Sequence, residues 1–529
     1  LELAALGDAH RAVVEQRRAR YVLVLGDGGV GKATIVDAFR NKLDRTTHLI
    51  LRAIGRPSLR DTPYALVADL TRDLFELTEE AELREVKKRI DTTVQRLFPA
   101  ITPADERDAR QVSEALGALL GLRASGAEEL DPQERRHRLY AALRKLQTRL
   151  AEERVLIVVV EDMHQADSQS FEILVQLVRD PIERPLLGIA TARHDERTDQ
   201  LAQTDKVMTV LVGELGLRER EELVRSRFAD PADAHALGTQ ILDRAGGNPF
   251  YINEMIDSLV ERGTLQPNAD GLLRWVKRDE LLLIPTTVEA VVAARVDRLP
   301  DDERDTIRRA ALLGRIFRVE DLQALVGGGP PERLTRALVR LAARGLIAPA
   351  SARSDVFGRG PGAYSFRNLI TKEVAYEGLP AETRALLHAV AADRLRRSAA
   401  YRAGGDDARM AEHLLAAGDR MGAGRALVSA GAYARDNASN ADAFALLTRA
   451  LELLPADAHD ERYDAHGERE QILRGWGKRP AQLREVHYMR KHAAVTPGKE
   501  GRRRESQAFA RLGLLYLDVG RHAAARREL

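Results

Sequence analysis

The sequence contains no cysteine. Disulfides, thiol catalysis and cysteine-ligated zinc are therefore excluded. No apolar run approaches the roughly 20 residues that span a bilayer as a helix, and nothing resembles a signal peptide. A cytoplasmic protein without a membrane partner is the default expectation. No charge sign dominates either: 82 lysines and arginines stand against 80 acids, for a net charge of +2. That balance argues against a dominant electrostatic nucleic-acid surface, while leaving room for a local basic face. Aromatic residues are few, and abundant Ala, Leu and Arg favour helix along most of the chain. At roughly 150 residues per domain, 529 residues imply three or four domains. The chain opens at Leu1 without a methionine and stops within a helical pattern at Leu529, which reads as a piece of something larger.

What is present begins with an apolar run, Tyr21 to Leu25, that ends at Gly26 and reads as a buried parallel strand. After a glycine-rich loop, Ile35, Val36, Phe39 and Leu43 recur at helical spacing. "THLILRAIG" predicts a second strand, and a charged helical stretch runs from Tyr64 to Leu150 with "ITPADERDAR" as a surface connection. "VLIVVV" (155–160) is the most hydrophobic run and ends abruptly in Glu161 and Asp162; "PLLGIATAR" predicts a further strand. Strands alternating with helices give a parallel α/β sheet. From Leu217 onward the strand signal mostly disappears. Pro249 begins a new helix after Gly246 and Gly247, Pro300 separates two helices, and "SARSDVFGRGPGAYSFR" reads as a glycine-rich turn and return strand. Helices followed by such a hairpin suggest a winged helix. Beyond Gly405 the pattern is helical with a weak repeat: Phe509, Leu512, Gly513, Tyr516, Gly520, Ala525 and Leu529 in "FARLGLLYLDVGRHAAARREL" fall on the tetratricopeptide pattern, and Gly431, Ala443, Ala450 and Pro455 keep the corresponding spacing in an earlier segment. Small residues at those positions let paired helices approach closely, as in tetratricopeptide arrays.

"GDGGVGK" satisfies G-x-x-x-x-G-K from Gly26 to Lys32, with a strand before and a helix after. Glycines let backbone N–H groups turn inward around phosphate oxygens, and a helix start adds its positive dipole end. The nucleotide-binding candidates are Gly26, Asp27, Gly28, Gly29, Val30, Gly31, Lys32, Ala33 and Thr34. The other half of such a site is an acid at the end of a buried strand. Glu161 stands where a Mg²⁺-facing carboxylate belongs, directly or through water, and Asp162 where an acid could orient the attacking water. His164 has no second histidine at metal-ligand spacing, so zinc is not expected; His388 and His413 fall on helical faces as packing or surface residues.

"VVVEDMHQADSQSFEIL" resembles the signature of STAND-class ATPases, the signal-transduction branch of the AAA+-like P-loop NTPases. The closest resemblance is to large bacterial ATPases fused to Ser/Thr kinase, adenylate cyclase or DNA-binding regulator domains. "DTPYALVADL", "GNPFYINEMIDSL", "LPDDERDTIRRAALLGRIF" and "YSFRNLITKEVAYEGLPAETRALLH" follow in that family's order. The resemblance implies a P-loop NTPase core (1–214), a helical lid (215–284), a winged helix (285–375), connecting helices (376–405) and a truncated α-solenoid of tetratricopeptide-like repeats (406–529). It implies that Pro249 packs near the nucleotide base and that Arg193 senses the γ-phosphate beside the catalytic pair Glu161 and Asp162. It also places Asn368 where the family has a histidine reaching toward a β-phosphate. Gln165 replaces a common tryptophan, which matters less because that residue packs.

Ala33 lacks the hydroxyl that ligates Mg²⁺ in this loop, and Thr34 points about 100° away on a helix. The expectation is ATP or ADP binding, with Mg²⁺, and weak or absent hydrolysis. A substitution introduced at position 33 accounts for Ala33 as well as natural degeneration does. A regulatory switch follows, with a protein or peptide partner on the helical repeats, self-association, and an effector domain outside this fragment. The rival reading is a nucleotide-independent scaffold. A less favoured third has the winged helix touch DNA through Arg344, Arg353 and Arg359, with Arg308 and Arg309 nearby among interspersed acids.

Overall fold

Five short runs set the architecture, the inner ones apolar because they must be buried on both faces. In the computed structural model, which describes residues 1–77, 81–99, 101–122, 131–245, 247–277, 287–327, 330–349, 362–398 and 401–528, they form one parallel sheet. The strands are β1 (Arg20–Leu25), β2 (His48–Ile54), β3 (Val155–Glu161), β4 (Leu186–Ala192) and β5 (Val207–Leu211), in the order β2-β3-β4-β1-β5. Alternation along β1 sends Val22 and Val24 into a cluster with Leu6, Val36 and Phe39, and Leu23 and Leu25 into one with Leu66, Val160 and Phe171. All four β1 residues are at most 2% exposed, and each such side chain contributes about 1.5–3 kcal/mol by burial. The carboxyl ends of β1, β3 and β4 therefore lie along one edge, where open α/β sheets bind ligands.

Four of these strands match the sequence expectation. β5 was not anticipated: it is an edge strand with a single buried residue, Val210, so its apolar signal is diluted. "ITPADERDAR" is corrected from a connection to a helix start. Thr102 and Asp105 form a capping box, Pro103 occupies the first helical turn, and the helix runs Pro103–Leu119.

Three helices, Leu217–Arg225, Pro231–Ala245 and Pro249–Glu261, follow the sheet with a short hairpin, β6 (Leu265–Pro267) and β7 (Leu273–Trp275), that the sequence did not signal. The next unit packs helices Val288–Asp297, Asp301–Leu313 and Pro331–Ala343 against a three-stranded antiparallel sheet. Its strands are β8 (Ile316–Arg318), β9 (Ile347–Pro349) and β10 (Ala363–Phe366), ordered β8-β10-β9 around Phe317 and Phe366. The expected glycine-rich turn, with Arg353 and Arg359, lies outside the described residues. Helices Leu369–Glu377 and Ala381–Arg397 lead to a helical solenoid of seven described helices between Asp407 and Glu528. There a Cβ on Gly431 would lie 2.6 Å from Leu447 Cγ, and one on Gly424 2.6 Å from Leu454 Cδ2, so these glycines set the helix spacing.

Candidate functional site

At the carboxyl end of β1 the chain turns out of the sheet. A Cβ on Gly26 would stand 2.1 Å from the Val212 carbonyl oxygen, so only glycine passes there. Gly29 and Gly31 take φ of +83° and +101°, the left-handed region glycine reaches without strain. Val30, 5% exposed, pins the middle of the loop in the core. Helix Lys32–Arg40 starts at once. Among the described residues, the backbone N–H groups from Gly28 to Lys32 donate to no other group. A row of free N–H groups at a helix start is an anion cradle. Lys32 is buried, and its Nζ donates to the carbonyls of Gly26 (2.6 Å) and Asp27 (2.7 Å). Burial pulls its ammonium below the ordinary lysine pKa, Arg193 adds to that, and the carboxylates of Asp162 and Asp27 oppose it.

The acids at the end of β3 are both engaged by arginines. Glu161 is 3% exposed and accepts from Arg52 Nε at 2.6 Å. Asp162 leaves the strand at φ +49°, its N–H donating to Thr191 Oγ1 at 3.1 Å, and its carboxylate accepts from Arg315 of the helix-and-hairpin unit. Arg193 follows β4; its N–H donates to His164 Nδ1 (3.3 Å), and its guanidinium lies so close to Gly28 that a Cβ there would meet Nη2 at 2.9 Å. Burial holds His164 below the usual histidine pKa, consistent with a neutral ring accepting that bond.

The other predicted residues spread around this centre. Pro249 is the first residue of helix Pro249–Glu261 and is half-buried. Its neighbour Asn248 contacts the glycine loop. Asn248 Oδ1 caps the helix through the N–H groups of Phe250 and Tyr251, while Nδ2 donates to the Gly28 carbonyl at 3.2 Å. A Cβ on Gly29 would meet Asn248 and Phe250 within 3.0–3.2 Å, so helix Pro249–Glu261 sits directly on the loop. Asn368 caps helix Leu369–Glu377 by accepting from the Ile370 N–H at 2.8 Å, and shows no hydrogen bond to the loop among the described residues. Ala33 and Thr34 are exposed. Sequence reasoning missed Asn248, Arg52 and Arg315. Asn before Pro was a readable helix cap, and an arginine inside the β2 run a readable sign of a buried partner. Arg315 carried no local signal.

The cradle fits a polyphosphate: it offers free N–H donors, an ammonium, and glycines where a Cβ would intrude. It does not furnish a divalent-cation site. Ala33 supplies no hydroxyl, each acid already satisfies an arginine, and no group of three His, Asp or Glu side chains able to hold a metal occurs among the described residues.

Residues 1–189 match the family model for the AAA ATPase domain. An uncharacterised protein of Rhizobium meliloti strain 1021 is 23% identical over 443 residues, 82% of this chain. The chain spans 40% of that relative's length. Among solved structures, a STAND protein with a tetratricopeptide repeat sensor from Pyrococcus horikoshii aligns over 98% of this chain and 75% of its own, at 11% identity and TM-score 0.43. The Aeropyrum pernix ORC1 protein, solved in complex with DNA, aligns over 71% of this chain and 91% of its own, at 13% identity and TM-score 0.30. Among the described residues no helix is long and apolar enough to cross a membrane. Over residues 1–189 the chain is thus similar to the AAA ATPase domain, which supports a nucleotide-binding ATPase module at its start.

Proposed function

We propose that the chain is a signal-transduction switch that binds ATP or ADP on the loop from Gly26 to Lys32 and turns it over weakly or not at all. One observation carries the reading: the phosphate cradle is also the point where two other units are fastened. The lid reaches it through Asn248 to Gly28, and the helix-and-hairpin unit through Arg315 to Asp162. In this reading that unit is a winged helix, and the solenoid is a tetratricopeptide-like array offering a concave face to a protein or peptide. A bound polyphosphate adds negative charge beside Lys32, Arg193 and Arg315. Tri- and diphosphate states then bias the Asp162–Arg315 pair differently, which is the differential contact a switch requires. Rearrangement or self-association would pass that bias to a fused or partner effector.

Weak turnover is supported by Ala33 and by the arginines on both acids, since hydrolysis depends on accurate placement of metal and water. The second reading is a nucleotide-independent scaffold. It draws on Lys32, whose ammonium is already satisfied by its own loop. Titration of the full chain with a fluorescent ATP analogue separates the two. Lys32→Ala is expected to weaken binding about 30- to 100-fold, the roughly 2–3 kcal/mol of a charge-assisted contact. Equal affinity in wild type and variant leaves the scaffold. DNA binding is not favoured: Arg308, Arg309 and Arg344 are paired with Asp297, Asp305 and Glu303.

A further inference from the structure

A cavity of about 140 Å³ lies where the α/β core, the helix-and-hairpin unit and the start of the solenoid meet. Its wall carries five arginines and two carboxylates. Three of the arginines are poorly matched. Arg394 stands 3.6 Å from Asp321, while Arg402 and Arg409 share Asp406 at 4.0 and 3.6 Å, all beyond a good charge-assisted hydrogen bond. Arg409 Nε is buried and has no hydrogen-bond partner. A buried unsatisfied donor is costly, and surplus guanidiniums around a shared carboxylate are a standing demand for negative charge.

We infer that this cavity binds a small organic phosphate, distinct from the nucleotide on the glycine loop. Guanidinium groups present paired N–H donors that match phosphate oxygens. Apolar residues, Leu119 and Phe317 among them, also line the cavity and would cover a short carbon stem. The volume points to a small ligand: an engineered cavity of about 150 Å³ accepts benzene, and a phosphate ester of a few carbons matches that size better than a nucleotide does. The position gives the site a consequence. The solenoid rests on the core through a few hydrogen bonds around this cavity, among them Thr62 Oγ1 to the Gly405 carbonyl (3.1 Å) and Tyr64 OH to the Asn437 carbonyl (3.2 Å). A ligand contacting all three units binds their docked arrangement preferentially and stabilises it by linkage.

The test uses the full chain carrying Lys32→Ala, so that the glycine loop is disabled, with inorganic phosphate and glycerol 3-phosphate as calorimetric probes. Saturable binding is expected to persist in this background, with the ester bound more tightly. Arg409→Gln is expected to weaken it at least tenfold. Should that variant not fold, Arg394→Gln, at a half-exposed position, carries the same expectation. Absence of saturable binding in the Lys32→Ala chain, or affinity unchanged by both arginine substitutions, overturns the site. Neither result bears on the nucleotide reading, which is decided by the ATP analogue alone.

Discussion

Two of the joints that hold the helix-and-hairpin unit in place are built differently. At its joint with the lid, Arg295 is 1% exposed and donates to Glu254 (2.5 Å), Glu261 (2.8 Å) and the Arg344 carbonyl (3.1 Å). At its joint with the sheet lies an ion pair, Arg315 with Asp162, that is 20% and 29% exposed at its two side chains. A buried charge with several partners cannot be separated without stranding carboxylates, whereas a partly hydrated pair exchanges its partner for water at little cost. The lid and the helix-and-hairpin unit are therefore expected to behave as one body, and the phosphate loop is where that body lets go.

Breaking the stronger joint is the largest expected effect. Burial raises the Glu254 pKa and Arg295 counteracts it, so removing the guanidinium leaves a carboxylate with no compensation. Arg295→Ala should cost about 3–5 kcal/mol in chemical denaturation of the full chain. Arg295→Lys should recover only part of that, because one ammonium cannot reproduce the fork spanning Glu254 and Glu261. A loss below about 1 kcal/mol for Arg295→Ala would make the two joints equivalent and remove the contrast between them.

A third joint sharpens the comparison, because pH alone should break it. His388 on helix Ala381–Arg397 and His413 on helix Asp407–Ala416 are hydrogen-bonded through their Nδ1 atoms at 2.8 Å, linking the unit to the solenoid. Burial, reinforced by Arg384 and Lys372, lowers the His388 pKa to about 4; burial, His388 and Arg409 lower that of His413 to about 3. Both folded values lie below the ordinary 6.5, so between them the unfolded chain binds more protons. Stability is then full above about pH 6.5 and falls as pH drops toward 4. Each ring accounts for up to about 2 kcal/mol, so the pair is expected to lose about 2–4 kcal/mol between pH 7.5 and 5.0. Thermal melts at the two pH values measure this, and His413→Gln should flatten the difference. A slope unchanged by His413→Gln would assign the acid sensitivity elsewhere.

How legible these features were depends on how local their causes are. The strand from Tyr21 to Leu25, its glycine turn and the following helix could be read because every determinant lies within twenty-odd neighbouring residues. Thr102 and Pro103 carried an equally local helix-start signal that polar composition obscured. β5 escaped because an edge strand needs only one buried residue. At the site, the sequence pointed to Lys32, Asp162 and Arg193, and the structure brings these three near enough for Asp162 and Arg193 both to influence the Lys32 ammonium. Asn368 accepts from its own helix through Oδ1 alone, which leaves its amide N–H groups to donate elsewhere. The partners of Glu161 and Asp162 lie 109 and 153 residues away in sequence, and no pattern in one chain encodes such pairings.

The smallest change in stability falls on the weaker joint, and there the functional readout should be largest. Arg315→Ala removes one partly exposed ion pair, which costs at most about 1 kcal/mol. It also frees Asp162 and takes one positive charge from beside the cradle. If the Arg315 joint is what opens, exchange of a bound fluorescent ATP analogue should accelerate severalfold while the denaturation midpoint barely moves. Small-angle scattering should then report a larger radius of gyration in the nucleotide-free variant than in wild type. Arg315→Glu should exceed both effects, because a carboxylate facing Asp162 repels it. Exchange unchanged in both variants would mean that the unit is kept on the sheet by its apolar contacts, and that the ion pair at Asp162 is a passenger rather than the fastening.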